Sequence, residues 1–321
     1  MLNACRLDGD EILGTLPPRG GRATARKVAV CAVMAGCDPV QFPIVVAAVH
    51  AISMPPFNLY TVQSAAHPTS PFIMVNGPLG KEAGLSNGHD LTARGWKANL
   101  SIARAVRLVC ISTAGIKDVV ANHTQGYLGR FVDCIRENEE ENPWQPYHVE
   151  LGYPKDANVV TVFAADPAHL VDDHGSTSPQ SLLTTFAMTI AAAGNRGIWS
   201  AAEQVFLFAP MHASYLASQD FSKADVKDFL YEIARVPLHQ FPKDNLASLS
   251  KWHQKIFSHV SELATLPVVR DKQDFKVIVF GGVGPHSMYI AGGLASRSVT
   301  VEVDTVIDNI SKKKPIRRNS L

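Results

Sequence analysis

Hydrophobic positions along this chain gather in short, unbroken runs that end at turns rich in glycine, proline and small polar residues. Four runs read as buried strands: 27–34 (KVAVCAVM), 159–164 (VVTVFA), 204–208 (QVFLF) and 275–280 (FKVIVF). Runs of this length without polar alternation are expected where both faces of a strand are covered. Helical character falls between and beyond them, at 40–52, 91–113, 178–193, 223–235 and 246–263. Asp38 can cap the first of these with Pro39 in its opening turn. Ser222, three residues before Asp225, predicts a capping box in which Asp replaces the usual Glu. Strands alternating with helices predict an α/β fold of two similar lobes, each with a mostly parallel sheet flanked by helices. The expected organisation is an N-terminal segment (1–26), a first lobe (27–175), a second lobe (176–310) and a basic, disordered tail (311–321).

A different texture interrupts this pattern at 122–153. It holds the acidic run Glu139-Glu140-Glu141 and two prolines, Pro143 and Pro146, that preclude a regular helix. A loop of this length is a candidate wall or lid of a site.

Composition narrows the class. The 321 residues are 46 % hydrophobic and 18 % charged, with a formal net charge of +1. That balance suits a folded protein with a large core and gives no reason to expect nucleic acid as a partner. The exception is the tail, where Lys312, Lys313, Lys314, Arg317 and Arg318 form a solvated end or a polyanion-binding signal. No run approaches the roughly 18 apolar residues of a membrane helix, and the first 20 residues hold no signal-like apolar segment. A cytoplasmic protein that makes no membrane contact is expected, with a homo-oligomer allowed. Five cysteines, odd in number and without a CxxC pair, predict reduced thiols.

Candidate chemistry lies at the strand ends, because ligands of open parallel sheets bind beyond the carboxyl ends of the strands. Those turns present Cys37, His169, His212 and His286. Cys37, where a helix should begin, is either a small packed residue or a thiolate favoured by backbone N–H groups. Gly281, Gly282 and Gly284, followed by His286 and Ser287, would let a ligand approach the backbone, although the spacing matches no phosphate-binding motif. Asn76, Asn99, Arg104 and Arg107, with Gly282 and Ser287, are the materials of a polar or anionic small-molecule site. His67, Glu139, Glu140 and His148 offer the ligand types of a divalent transition metal; the acidic run reads equally as a solvated face.

Several of these elements carry a resemblance. Met34-Ala35-Gly36-Cys37, Gln63…His67-Pro68, Val75-Asn76-Gly77-Pro78, Arg104 to Leu108, Glu137-Asn138-Glu139-Glu140…Asn142-Pro143-Trp144…His148-Val149-Glu150 and the glycine turn at 281–287 resemble the long members of the UGSC-type (seleno)protein group. That group brings no settled activity. The chain has neither selenocysteine nor a Cys-Gly-Ser-Cys element, so the redox chemistry of that element does not carry over.

The reading these residues support is a small-molecule lyase or hydrolase, metal-assisted if the metal set assembles, with its site between the lobes. Cys37, His67, His148, His212 and His286 are its candidate catalytic groups. A Cys37-dependent thiol enzyme, and a non-catalytic binding protein or complex subunit, are the alternatives.

Overall fold

The computed structural model describes residues 1–65, 67–88, 95–115, 132–249, 251–257, 264–293 and 295–312. The predicted helical stretch 91–94, the first part of the 122–153 segment, the end of the predicted helix at 258–263 and the tail from 313 lie outside the described residues. Among the described residues, no single helix is long and apolar enough to cross a membrane.

The chain opens with a hairpin of β1 (Ile12–Leu16) and β2 (Gly21–Thr24), then α1 (Ala25–Ala35) and α2 (Phe42–Ser53). Next come β3 (Ser70–Asn76), α3 (Lys97–Ser112), β4 (Asp133–Arg136), β5 (Val159–Ala165), β6 (His169–Asp172) and α4 (Pro179–Ile190). The remainder runs β7 (Gln204–Phe208), α5 (Pro210–Ser218), α6 (Lys223–Ile233), β8 (Arg235–Pro237), β9 (Thr265–Pro267), β10 (Phe275–Val279), β11 (His286–Ala291), β12 (Val299–Glu302) and α7 (Val303–Lys312). The Ser222–Asp225 capping box opens α6 as its spacing predicts.

Residues 27–34 are helical rather than the expected strand. Thr24 caps α1 by accepting the Lys27 N–H, and Gly36 ends it in the left-handed region, with the N–H of Cys37 returning to the Ala32 carbonyl. Val28, Ala29, Cys31 and Ala32 face the core, whereas Val30, Val33 and Met34 are exposed. A short apolar run has no period that separates a strand from a helix with outward-facing Val and Met.

The sheets also differ from expectation. Eight strands form two four-stranded sheets, ordered β12-β5-β3-β4 and β10-β7-β11-β6, and both are mixed. Only β3–β4 and β7–β10 are parallel; β3–β5, β5–β12, β7–β11 and β6–β11 are antiparallel. Two lobes of mostly parallel sheet are therefore not what the chain builds. The dry strand faces have another origin. Ile73 and Val75 of β3 and Val160 and Val162 of β5 pack under α1, α2, α3 and α7. Phe206 and Phe208 of β7 and Val277 and Val279 of β10 pack under α4, α5 and α6. The alternate residues, Phe72, Met74, Phe163, Val205, Leu207, Ile278 and Ile290, meet one another between the sheets. This is a four-layer α/β/β/α arrangement in which the central strands are covered on both faces, while edge strand β6 leaves His169, Leu170 and Asp172 exposed.

The two sheets share one pattern of directions and exchange a strand. The chain leaves β5 and enters the second sheet as β6; it leaves β11 and enters the first as β12. At the crossing the Asp166 N–H donates to the Ala291 carbonyl at 2.9 Å and the Gly293 N–H to the Ala164 carbonyl at 3.1 Å. Glycine is needed here, since a Cβ on Gly292 would lie 2.1 Å from the Glu203 carbonyl oxygen. Phe163 sits at the inter-sheet contact against Phe72 and Tyr147 and is 1 % exposed. Phe163→Ala should lower the free energy of unfolding in urea by about 3–5 kcal/mol, and a loss below about 1 kcal/mol would contradict this packing.

Candidate functional site

The strand exchange puts β6 beside β11 in a register that sets Asp172 directly opposite His286. Directly opposed side chains on an antiparallel pair share a face and lie within reach of each other. His286 Nδ1 is 3.1 Å from Asp172 Oδ1. His174, two residues beyond Asp172, brings its Nε2 to 3.5 Å from the same oxygen. The two imidazole rings stand edge to face, with centroids 5.1 Å apart. All three side chains are more than half exposed.

A buried layer holds this cluster in place. The Ala209 N–H donates to Ser287 Oγ at 2.9 Å, and Ser287 Oγ lies 2.8 Å from His212 Nδ1. His212 Nε2 lies 3.1 Å from the Asp173 carbonyl oxygen. A carbonyl only accepts, so Nε2 carries the proton and the Ser287 hydroxyl donates to Nδ1. Burial lowers the His212 pKa from its ordinary value, keeping the ring neutral. Burial also opposes the charge on Asp173, but hydrogen bonds from Thr185, Ser176 and the Ser176 and Gly175 backbone N–H groups outweigh it. They hold that carboxyl down at about 2 and fix the turn between Asp172 and His174.

Next to His286 lies the glycine turn, with Gly281 (φ +87°) and Gly284 (φ +144°) in conformations that favour glycine and Val283 80 % exposed. Asn138 secures this turn. Its N–H donates to the Val279 carbonyl at 2.9 Å and its Nδ2 to the Gly281 carbonyl at 3.0 Å. The Gly281 N–H donates in turn to the Asn87 carbonyl at 3.0 Å. The Glu-Asn-Glu-Glu block thus joins the end of β4 to the end of β10.

The same block contains a buried carboxyl, Glu137. It accepts from Asn76 Nδ2 at 2.6 Å, Asn142 Nδ2 at 2.9 Å and the Tyr147 N–H at 2.8 Å. Burial raises its pKa against the pull of Lys223 and these donors. Asn76 also donates to Glu139 Oε1 at 2.9 Å, which accepts the Gly77 N–H as well. Glu140 is held by Arg136 Nη1 at 2.8 Å and by Asn87 Nδ2 at 2.8 Å. These hydrogen bonds tie turns together, while Asn76 Oδ1 and Arg136 Nε stay buried without a hydrogen-bond partner.

The predicted residues therefore divide. His212, His286, Gly282 and Ser287 fall in one region, though Ser287 is fully buried and committed to His212 and Ala209. The metal set His67, Glu139, Glu140 and His148 does not assemble. His148 is fully buried, its Nε2 3.2 Å from the Lys155 carbonyl, while His67 is exposed beside Asp166. Asn76 is spent on Glu137 and Glu139, and Asn99 bridges Ser86 to the Cys134 carbonyl. Arg104 and Arg107 sit on α3, in the helical layer outside the first sheet. Cys37 is no activated thiol: it follows the C-terminus of α1, and burial with neighbouring Asp38 pushes it up to about 11. The space between the sheets is filled, leaving a cavity of about 30 Å³ lined by Phe72, Asp166, Leu207 and Ile290 among others, too small for an organic substrate. Asp172 and His174 were not singled out from the sequence. Asp172 ends β6 and His174 follows in the turn after it, a placement that gains meaning only once His286 is known to lie opposite.

Two outcomes follow from these environments. Glu137→Gln sets an amide against three donors and should cost about 1–3 kcal/mol of unfolding free energy; an unchanged urea midpoint would contradict the network. His212 and His253 are both buried with pKa values lowered below the ordinary 6.5, chiefly by burial. Their contribution to stability is complete above that unfolded value and is lost as pH falls through the folded values, so the urea midpoint should drop between about pH 7.5 and about pH 5.5. A midpoint that rises on acidification would contradict it. No protein-family model matches the chain and no curated protein does.

Proposed function

We propose that this chain is a hydrolase or lyase acting on a polar or anionic small molecule at the exposed junction of β6 and β11. The observation that supports this most is the convergence of two imidazoles, His174 and His286, on one oxygen of Asp172, above a neutral buried His212. Two imidazoles beside a carboxylate can take a proton from water or from a carbon acid and return it to a leaving group. Asp172 orients the rings and offsets the charge that develops on them. The glycine turn at 281–285 forms the neighbouring wall, with little side-chain bulk to keep a substrate from its backbone N–H groups.

Proton transfer falls to His174 and His286, orientation of the rings to Asp172, and substrate contact to Gly282. His286→Ala and Asp172→Asn should each reduce kcat/KM by about 100-fold or more on whichever member of a panel of esters, amides, lactones and hydroxy acids the native chain converts. Full activity in both variants would overturn this assignment.

A further inference from the structure

We propose that Asp172, His174 and His286 form a binding site for one divalent transition-metal ion. This rests on reading the same cluster as the reactive centre; with an ion bound, the two imidazoles would hold it rather than carry protons, and the ion would supply the activation of water.

The geometry carries the inference. Donor atoms about 2.1 Å from a common ion in tetrahedral or octahedral coordination are separated by about 3.0–3.5 Å. Asp172 Oδ1 lies 3.1 Å from His286 Nδ1 and 3.5 Å from His174 Nε2, matching two edges of such a polyhedron. All three donor atoms lie within 4.8 Å of one another. The third edge, between the two exposed histidines, falls within the same 4.8 Å limit. Two imidazole nitrogens and one carboxylate oxygen favour a first-row transition ion over Mg²⁺ or Ca²⁺, which prefer all-oxygen sets. More than half of each side chain faces solvent, which leaves coordination positions for water or substrate.

The support around the cluster has the form a metal site needs. Asp172 and His286 are locked by strand pairing, and His174 by the Asp173-centred turn. Ser287, next to His286, is fixed from below by Ala209 and His212. An imidazole ligates in its neutral form, so with the ion bound His286 carries its proton on Nε2 and His174 on Nδ1. Both rings then move their protons off the shared oxygen, and the ion occupies the space between.

The test is a Co²⁺ titration of the full chain after chelator treatment, read by visible d–d absorption and by equilibrium dialysis. One Co²⁺ per chain is expected. Asp172→Asn, His174→Ala and His286→Ala should each weaken binding by at least about 10-fold, with an unchanged far-ultraviolet circular dichroism spectrum. His169→Ala, an exposed histidine on the same strand, should leave affinity unchanged. Absence of stoichiometric Co²⁺, or binding equally strong in the three variants, would overturn the site. Turnover assayed in parallel separates this inference from the proposed function. Turnover that persists with no Co²⁺ bound overturns the site and leaves the function standing. Stoichiometric Co²⁺ in a chain whose turnover is untouched by His286→Ala overturns the function and leaves the site standing.

Discussion

Six strands of the two main sheets, β3, β4, β5, β7, β10 and β11, depend on face-to-face packing between the sheets. Phe72, Met74 and Phe163 from one sheet meet Val205, Leu207, Ile278 and Ile290 from the other, and helices cover the opposite faces. Burying both faces of the central strands needs four layers, and four layers need a connection that holds the inner two in register. The exchange of β6 and β12 supplies it, with backbone hydrogen bonds at Asp166–Ala291 and Ala164–Gly293 marking the crossing. The second sheet is built from one continuous stretch, β6 to β11, whereas the first takes its last strand, β12, from after that stretch.

The candidate site is a product of that exchange. Asp172 lies opposite His286 because the chain, on leaving β5 of the first sheet, pairs β6 with β11 at the edge of the second. The buried Ser287–His212 pair then ties β11 to the turn after β6 through the Asp173 carbonyl. On the other side of the cluster, Asn138 and Asn87 anchor the glycine turn to the block that follows β4. Residues from both halves therefore fix the positions of three exposed side chains. Pre-organisation of this kind separates a reactive cluster from an ordinary surface ion pair.

Much of the element pattern was legible in the sequence, and its assembly was not. The runs at 159–164, 204–208 and 275–280 are strands, and the 40–52 and 223–235 segments are helical, because length, caps and turn residues act locally. Strand direction is a non-local property: an apolar run reports that both faces are dry and not what dries them, so helix-on-sheet and sheet-on-sheet burial read alike. Residues 27–34 failed for a related reason, since outward-facing Val30, Val33 and Met34 hid the helical period. His286 and His212 were legible as polar residues at strand ends. Glu139, Glu140 and His148 were plausible ligands by type, yet local turns consumed them. Asp172 and His174 became visible only through the cross-strand partner, which sequence spacing cannot supply.

The claim on which this account stands is that the β6–β11 register gathers His174, His286 and Asp172 into one ion-binding, reactive cluster. The most direct measurement is a Zn²⁺ titration of histidine-labelled protein followed by imidazole NMR. The account predicts that the His174 and His286 resonances shift together at one equivalent of Zn²⁺, with His286 changing at Nδ1 and His174 at Nε2, while His148 and His253 stay in place. Shifts confined to His148, or none at His174 and His286, would contradict it.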